Sequence, residues 1–261
     1  MNKNHDINRE NWNVRTDAHY KHPEYRVKEF LDGTKKLHPL ELEEVGNVEG
    51  KSLLHLQCHF GLDTLSWARL GAKVTGIDIS DRSIELANEL KQKAGLDARF
   101  IRTDVFNLPE ILNEEFDIVF TSYGVLWWMS DIRRWAQIVH KYVKKGGFFY
   151  IAEIHPFMGM LDKDKNVYEP YFNQGTEKYY DESDYCDKEL KIKEECGWRW
   201  TLSDVINALI GAGLSIEYVH EFPFCVYDQW PNFVKDSDGW YYYPDMKKDV
   251  PMTFSIKAVK K

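Results

Sequence analysis

From Lys51 onward, short apolar runs of β type alternate with segments of helical period, and this alternation restricts the chain to a sheet whose parallel neighbours are joined by crossover helices. "SLLHLQC" is the first strand, "LDTLSWARLG" a helix ending at Gly71, and "AKVTGIDIS" the second strand. Ser80 caps the next helix, whose Ile84, Ala87, Leu90 and Ala94 share one face before Gly95 stops it. "ARFIRTDV" and "FDIVFTSY" read as the third and fourth strands. Between Ser130 and Gly146 one helical face carries Ile132, Trp135, Ala136, Val139 and Val143, with a Ser-Asp start and a Lys-Lys-Gly finish that suit the helix dipole. "GFFYIAEIH" is the fifth strand. A helix from Thr201, with Asp204 three residues on as in a capping box, precedes the strand "LSIEYVHEF". The closing "MTFSIKAVK" alternates Met252, Phe254, Ile256 and Ala258 with polar neighbours, which predicts an antiparallel strand returning into the sheet. The expected fold is α/β: a doubly wound, mostly parallel sheet with an antiparallel last strand and helices on both faces.

Two stretches interrupt this scheme. Residues 157–200 are rich in Tyr and charge, and 222–246 contain "FPFCVYDQWPNFVKDSDGWYYYP", too aromatic for a solvated loop. A single domain is expected, with a core built from 51–156 and 201–261. The helical segment 1–50 and the insertions 157–200 and 222–246 then form a cap over a substrate, although a homodimer interface accounts for the same aromatic enrichment. With 34 Lys and Arg against 42 Asp and Glu, the net charge of -8 disfavours nucleic acid as a partner. The opening "MNKNHDINRE" has no apolar core of a leader, and no run is long enough to span a bilayer, so a soluble cytoplasmic protein with no membrane partner is expected. Four scattered cysteines without a CxxC read as reduced thiols, and no metal site is expected.

The strand ends carry the chemistry. A strand that turns tightly into a helix offers unpaired N–H groups to an anion, and Gly61 stands where that turn is expected. Asp78, at the end of the second strand, is placed to accept from both hydroxyls of a ribose. Thr103, Asp104 and Val105 end the third strand on the same rim, with Asp104 facing an adenine amino group. Ligands in such sheets bind outside the carboxyl ends of the strands, so these places converge on one crevice.

On these residues the sequence resembles the class I S-adenosylmethionine-dependent methyltransferases, and within them a bacterial subgroup whose first motif runs close to "HLQCHFGLDTLSWARLGA" followed by "VTGIDIS". The resemblance implies a Rossmann-like sheet of seven strands and S-adenosyl-L-methionine as cofactor. By position it implies that Gln57, Cys58, His59 and Gly61 face the methionine end, Asp78 the ribose and Ile79 the adenine. Asp104 and Val105 meet the adenine edge, and Thr121, Ser122 and Tyr123 lie beside the sulfonium. The commoner family pattern has an acid where His55 stands and glycines where Gln57 and His59 stand, which alters the backbone approach to the methionine.

Methyl transfer from a sulfonium is an in-line displacement that requires positioning and no nucleophilic side chain. A general base serves only an acceptor that is protonated at working pH. Glu153 and His155 at the end of the fifth strand, and His19 and Tyr20 in the N-terminal segment, are candidates, each equally readable as structural. "TSYGVLWW" lacks the Asn/Asp-Pro-Pro-aromatic run that some family members use, so Trp127 and Trp128 are either pocket wall or core. The reaction expected is methylation of a small-molecule acceptor. An NAD-linked oxidoreductase shares the acidic-rim logic, but GxGxxG is absent. A third reading is a non-catalytic S-adenosylmethionine-binding partner protein.

Overall fold

The alternation of runs becomes one seven-stranded sheet in the computed structural model, which describes residues 2–162, 164–228, 230, 232–246 and 249–261. Met1 of the N-terminal segment and positions 163, 229 and 231 of the two aromatic stretches lie outside the described residues. The chain opens with helices α1 (Lys3–Lys21), α2 (Val27–Leu31) and α3 (Pro39–Val45). The first half of the sheet follows as β1 (Ser52–Leu56), α4 (Leu62–Arg69), β2 (Lys73–Asp78), α5 (Asp81–Ala94) and β3 (Arg99–Arg102). After α6 (Leu108–Ile111) come β4 (Phe116–Ser122), α7 (Ile132–Tyr142) and β5 (Val143–Ile154). A hairpin of β6 (Glu177–Ser183) and β7 (Lys191–Gly197) then leads to α8 (Leu202–Gly211) and β8 (Ser215–Phe222). The short pair β9 (Val234–Lys235) and β10 (Tyr241–Tyr242) precedes β11 (Thr253–Val259).

Strand order is β3-β2-β1-β4-β5-β11-β8, with β1 to β5 mutually parallel. The expected antiparallel last strand, β11, enters between β5 and β8 and pairs antiparallel with both, so β8 and not the chain's final strand closes that edge. Order reverses between β1 and β4, and the crevice outside their carboxyl ends is the place where such sheets bind ligands.

Local signals explain the boundaries. The Ser80 hydroxyl accepts from Ser83 N to start α5, and Gly95 ends it in the left-handed region at φ 64°. Thr201 and Asp204 form a complete capping box on α8. The start of α7 is set by Asp131, whose carboxylate accepts from Arg133 N and Arg134 N, and not by Ser130. That helix also stops at Tyr142, because Val143 turns extended and pairs with Phe116 of β4; its side chain is buried from β5 and not from the helix face the sequence suggested. Helices cover both faces. Trp135 and Tyr142 of α7 and Val205 and Leu209 of α8 fill one layer, and Leu65 and Trp67 of α4 with Leu86 and Leu90 of α5 fill the other. Truncating either buried tryptophan to alanine would cost roughly 3–5 kcal/mol.

Helix α1 lies over the open end of this sheet, held by the β6–β7 hairpin. The Asn8 side chain continues the β7 ladder like a strand residue: its Nδ2 donates to Cys196 O at 2.7 Å and its Oδ1 accepts from Cys196 N at 2.9 Å. Asn11 donates to Glu194 O, and Arg15 pairs with Glu195. Among the described residues no helix is long and apolar enough to cross a membrane.

Gly61 and Gly95 both adopt left-handed backbone, but in different surroundings. At Gly61 (φ 80°) a Cβ would stand 2.7 Å from Phe100 Cζ, whereas at Gly95 (φ 64°) nothing lies within 4 Å. Gly95→Ala is expected to cost about 1 kcal/mol from backbone strain alone. Gly61→Ala is expected to cost roughly 2–4 kcal/mol because overpacking adds to strain. Urea unfolding of the two variants gives the comparison, and equal midpoints would contradict this account of the turn.

Candidate functional site

The turn from β1 into α4 alternates left-handed residues: Gln57 at φ 56°, His59 at 51° and Gly61 at 80°. An L side chain in that region costs roughly 1–2 kcal/mol, which is the physical reason glycine is the ordinary occupant. Here the turn is held by other means. Cys58 N donates to Ile77 O at 2.8 Å, His59 N to Asp78 Oδ2 at 2.8 Å, and Gln57 Nε2 to Val125 O at 3.0 Å. The Cys58 side chain is buried against Gly76, where a Cβ would come within 2.9 Å of its sulfur; Gly76 is thus required by the turn, although nothing in a strand-like "VTGID" announces it.

Asp78 also accepts from Ser80 N through Oδ1 at 2.8 Å, so one carboxylate ties the β1–α4 turn to the β2–α5 turn. Burial pushes its pKa up to about 6, against the opposing pull of the Ser80 and His59 amides. At neutral pH it is an anion poised to change state just below neutrality.

These turns floor a cavity that opens in part to solvent. Gln57, Cys58, His59, Gly61, Asp78, Ile79, Thr103, Asp104, Val105, Ser122 and Tyr123 all line it. Thr121 does not; its hydroxyl donates to Leu56 O inside the sheet. Trp128 forms part of the wall, while Trp127 stacks with the Arg199 guanidinium and lies so close to Gly197 that no Cβ fits there.

The four candidate bases lie outside the wall. Glu153 is buried, and its carboxylate accepts from Gly124 N, Val125 N, Leu126 N and Ile154 N, at 2.5, 2.7, 3.1 and 2.6 Å. It shapes the loop that follows β4, where Tyr123 and Gly124 are left-handed. His155 faces the sheet edge with Nε2 2.9 Å from Glu221. Tyr20 packs edge-on against Phe60. His19 stands one layer behind the wall, in contact with Tyr25, which does line the cavity.

Residues distant in sequence complete the enclosure. Helix α1 contributes His5, Asn8 and Trp12; His5 donates through Nδ1 to Asp104 Oδ2 at 2.6 Å and accepts at Nε2 from the Ser130 hydroxyl. Phe106 N donates to Asp104 Oδ1, which leaves each carboxylate oxygen one further lone pair. Tyr25, Lys36, Tyr185 and Tyr227 wall the far end. Single-sequence periodicity carries no signal for these contacts, because each depends on which strand ends the cap meets.

The electrostatic character of the cavity is acidic. Among the described residues Glu24, Asp63, Asp78 and Asp104 face it, against one lysine, Lys36, whose pKa burial lowers. Burial raises Asp63, so a cation entering beside it would draw the carboxyl into its ionised form. Two of its histidines are kept neutral: burial lowers His55 to about 3 and pushes His59 well below the usual range. His55 Nδ1 meets the Thr64 hydroxyl, whereas His55 Nε2, Gln57 Oε1 and His59 Nε2 are buried with no partner, polar atoms left over for a ligand.

Comparison with known proteins agrees with this geometry. Residues 54–151 match the family described as "Methyltransferase domain". The chain is 28% identical over 114 residues to the ubiquinone biosynthesis O-methyltransferase of Pseudomonas syringae pv. tomato, covering 44% of this chain and 49% of that one; it spans about half the length of the relatives of that name. An S-adenosylmethionine-dependent methyltransferase from Mesorhizobium loti superposes with a TM-score of 0.59 at 22% identity, over 87% of this chain and 99% of its own. The magnesium protoporphyrin IX methyltransferase of Synechocystis PCC 6803, solved with bound SAH, gives a TM-score of 0.59 at 15% identity over 99% and 100% of the two chains. Those two likenesses establish the fold.

Removing the Glu153 carboxylate would strand four amides at once, with the bonds of Val125 and Leu126 buried. Glu153→Ala is therefore expected to lower unfolding free energy by about 3 kcal/mol or more. Chemical denaturation tests this, and an unchanged midpoint would return Glu153 to the candidate bases.

Proposed function

We propose that the chain, whose residues 54–151 match the methyltransferase-domain family, is a class I S-adenosylmethionine-dependent methyltransferase that moves the methyl group of this cofactor to a small-molecule acceptor bound in the same cavity. S-adenosyl-L-methionine is the cofactor. The observation that carries the proposal is the convergence of the ends of β1, β2, β3 and β4 on one acidic cavity with unpartnered polar atoms. Among the described residues, four facing carboxyls against one lysine suit a ligand that carries a sulfonium and an ammonium, and such a site disfavours a dinucleotide pyrophosphate. The side chains of Gln57 and His59 add to the case against a dinucleotide, occupying the places where a pyrophosphate presses on glycine backbone.

Each residue acts through ordinary physical chemistry. Asp78 accepts the two ribose hydroxyls. Ile79 and Val105 hold the adenine between apolar surfaces, with Asp104 at its amino edge. Gln57 Oε1 and the Asp63 carboxylate receive the ammonium end. The bound cofactor supplies a methyl group already activated by its positively charged sulfur. What remains for the protein is to orient an acceptor and exclude water, and holding two reactants in line supplies much of a barrier reduction. The segment 1–50 with the insertions 157–200 and 222–246 forms the cap that does so. A small acceptor fits a cavity roofed by α1 and walled by aromatic rings, and the O-methyltransferase relatives act in the biosynthesis of a small molecule.

Two measurements test this reading. S-adenosylhomocysteine at a hundredfold excess over its Kd is expected to stabilise the fold by about 2.7 kcal/mol. That corresponds to a Tm rise of roughly 5–10 °C, and Asp78→Ala is expected to remove most of it; no shift with the natural sequence would overturn the proposal. The second is pH dependence. Asp78 accepts ribose hydroxyls as a carboxylate and is protonated in the free protein below about pH 6. Affinity for S-adenosylhomocysteine should therefore be level above that pH and fall as pH drops, by roughly tenfold at pH 5. Calorimetric affinities that stay level down to pH 5 would exclude Asp78 as the ribose ligand.

A further inference from the structure

Behind the far wall of the cavity four side chains form one hydrogen-bonded line. His19 is fully buried, and its Nε2 lies 3.1 and 3.0 Å from the two oxygens of Asp184. A carboxylate only accepts, so Nε2 donates, and in the neutral ring Nδ1 is then the acceptor. The Tyr25 hydroxyl sits 2.9 Å from that Nδ1 and donates to it. Tyr25 in turn lies 2.5 Å from the Tyr185 hydroxyl, whose proton it accepts. Tyr25 and Tyr185 line the cavity; His19 and Asp184 do not. The line thus runs from the cavity inward, with the two tyrosine protons directed toward His19 and the Nε2 proton directed on to Asp184.

We propose that this line, Tyr25–His19–Asp184, is a proton relay that accepts the proton of an aromatic hydroxyl during methyl transfer, which makes the acceptor a phenol-type compound. The inference rests on the methyltransferase reading above. As the acceptor oxygen forms its bond to the methyl carbon, the carbon–sulfur bonding pair leaves with sulfur. The acceptor's O–H proton passes to Tyr25 Oη while the proton of Tyr25 passes to His19 Nδ1. The ether and the thioether are neutral, and the positive charge ends on the His19 imidazolium, facing the Asp184 carboxylate. Tyr25 is the catalytic residue because it touches the acceptor; His19 and Asp184 act through it.

The surroundings are those a relay requires. Tyr25 holds its proton in the free protein, since burial and then the neighbouring Tyr185 push its pKa well above the phenol range. Burial opposes ionisation of Asp184, but His19, the Cys186 amide and Arg15 together bring its carboxyl below the usual range. The other groups facing His19 are the Tyr185 hydroxyl, 3.5 Å from Nδ1, Trp12, edge-on, and His59, a neutral ring 5.2 Å away. A phenol oxygen has two acceptor positions, so Tyr25 can take a bond from Tyr185 and another from the acceptor. Aromatic walls at Trp12, Trp128 and Tyr227 suit a flat ring. His19, Asp184 and Cys186 also lie close enough to ligate a metal ion. Against that use, Arg15 Nε already stands 3.2 Å from Asp184, and burial raises the Cys186 thiol to about 12.

The probe is 4-nitrophenol, whose ionised form absorbs in the visible, added to the full chain saturated with S-adenosylhomocysteine. Bound probe should ionise about one pH unit below free probe, a roughly tenfold larger phenolate fraction at matched pH. Tyr25→Phe and Asp184→Asn should abolish that difference while the thermal shift with S-adenosylhomocysteine persists. Probe that fails to bind, or that ionises alike in the natural sequence and in Tyr25→Phe, overturns the relay. Absence of any thermal shift in the natural sequence instead overturns the methyltransferase reading. Nitrogen-15 NMR of His19 in the unmutated protein reads the relay independently of whether variants fold: a protonated Nε2 with bare Nδ1 is expected, and a protonated Nδ1 overturns it.

Discussion

One carboxylate holds the ligand-facing end of this fold together. Asp78 ends β2 and satisfies the amides of His59 and Ser80, so the turn after β1 and the start of α5 share an anchor. Its own carbonyl accepts from Thr103 N, which adds the end of β3 to the same assembly. Three turns that a ligand must touch are thereby fixed to one another before any ligand arrives. The cost is a buried carboxyl whose ionisation burial opposes, and a ribose that donates two hydroxyls would offset part of that cost. The group that organises the free protein is the one proposed to recognise the cofactor.

A second carboxylate does the same for the other side of the crevice. Glu153, on β5, accepts from three consecutive amides of the loop after β4 and fixes the left-handed pair Tyr123 and Gly124. Buried carboxylates that accept from loop amides substitute here for the glycine-rich backbone commonly found in such crevices. His59 occupies its left-handed position with its amide on the Asp78 carboxylate, and Gln57 with its side chain on Val125 O in the loop after β4, bonds that offset the loss in local conformational energy.

The sheet was legible because it is encoded locally. Apolar period, Ser80 and Gly95 at the ends of α5, and the Thr201–Asp204 box each act over a few residues, and the structure keeps them. Val143 misled because a valine continuing a helical face and a valine opening a strand look alike until the pairing with Phe116 is known. The strand-end residues Asp78, Asp104 and Val105 were also legible, since topology alone brings them to one rim. The acceptor end was not. Tyr25 meets Tyr185, and His19 meets Asp184, across more than half the chain, in a cap whose form depends on Asn8 continuing the β7 ladder. No period or spacing in the sequence announces a side chain that serves as a strand residue. Glu153 and His155 drew notice for their place at a strand end, yet neither side chain reaches the cavity.

A crystal structure with S-adenosylhomocysteine bound tests the central claim most directly, that the rim organised by Asp78 is the cofactor site and the aromatic far end the acceptor site. Expected are the ribose hydroxyls on the Asp78 carboxylate, the adenine between Ile79 and Val105, and the thioether sulfur open toward Tyr25 and Tyr185. A ligand whose ribose makes no contact with Asp78, or whose sulfur faces away from those tyrosines, would contradict it.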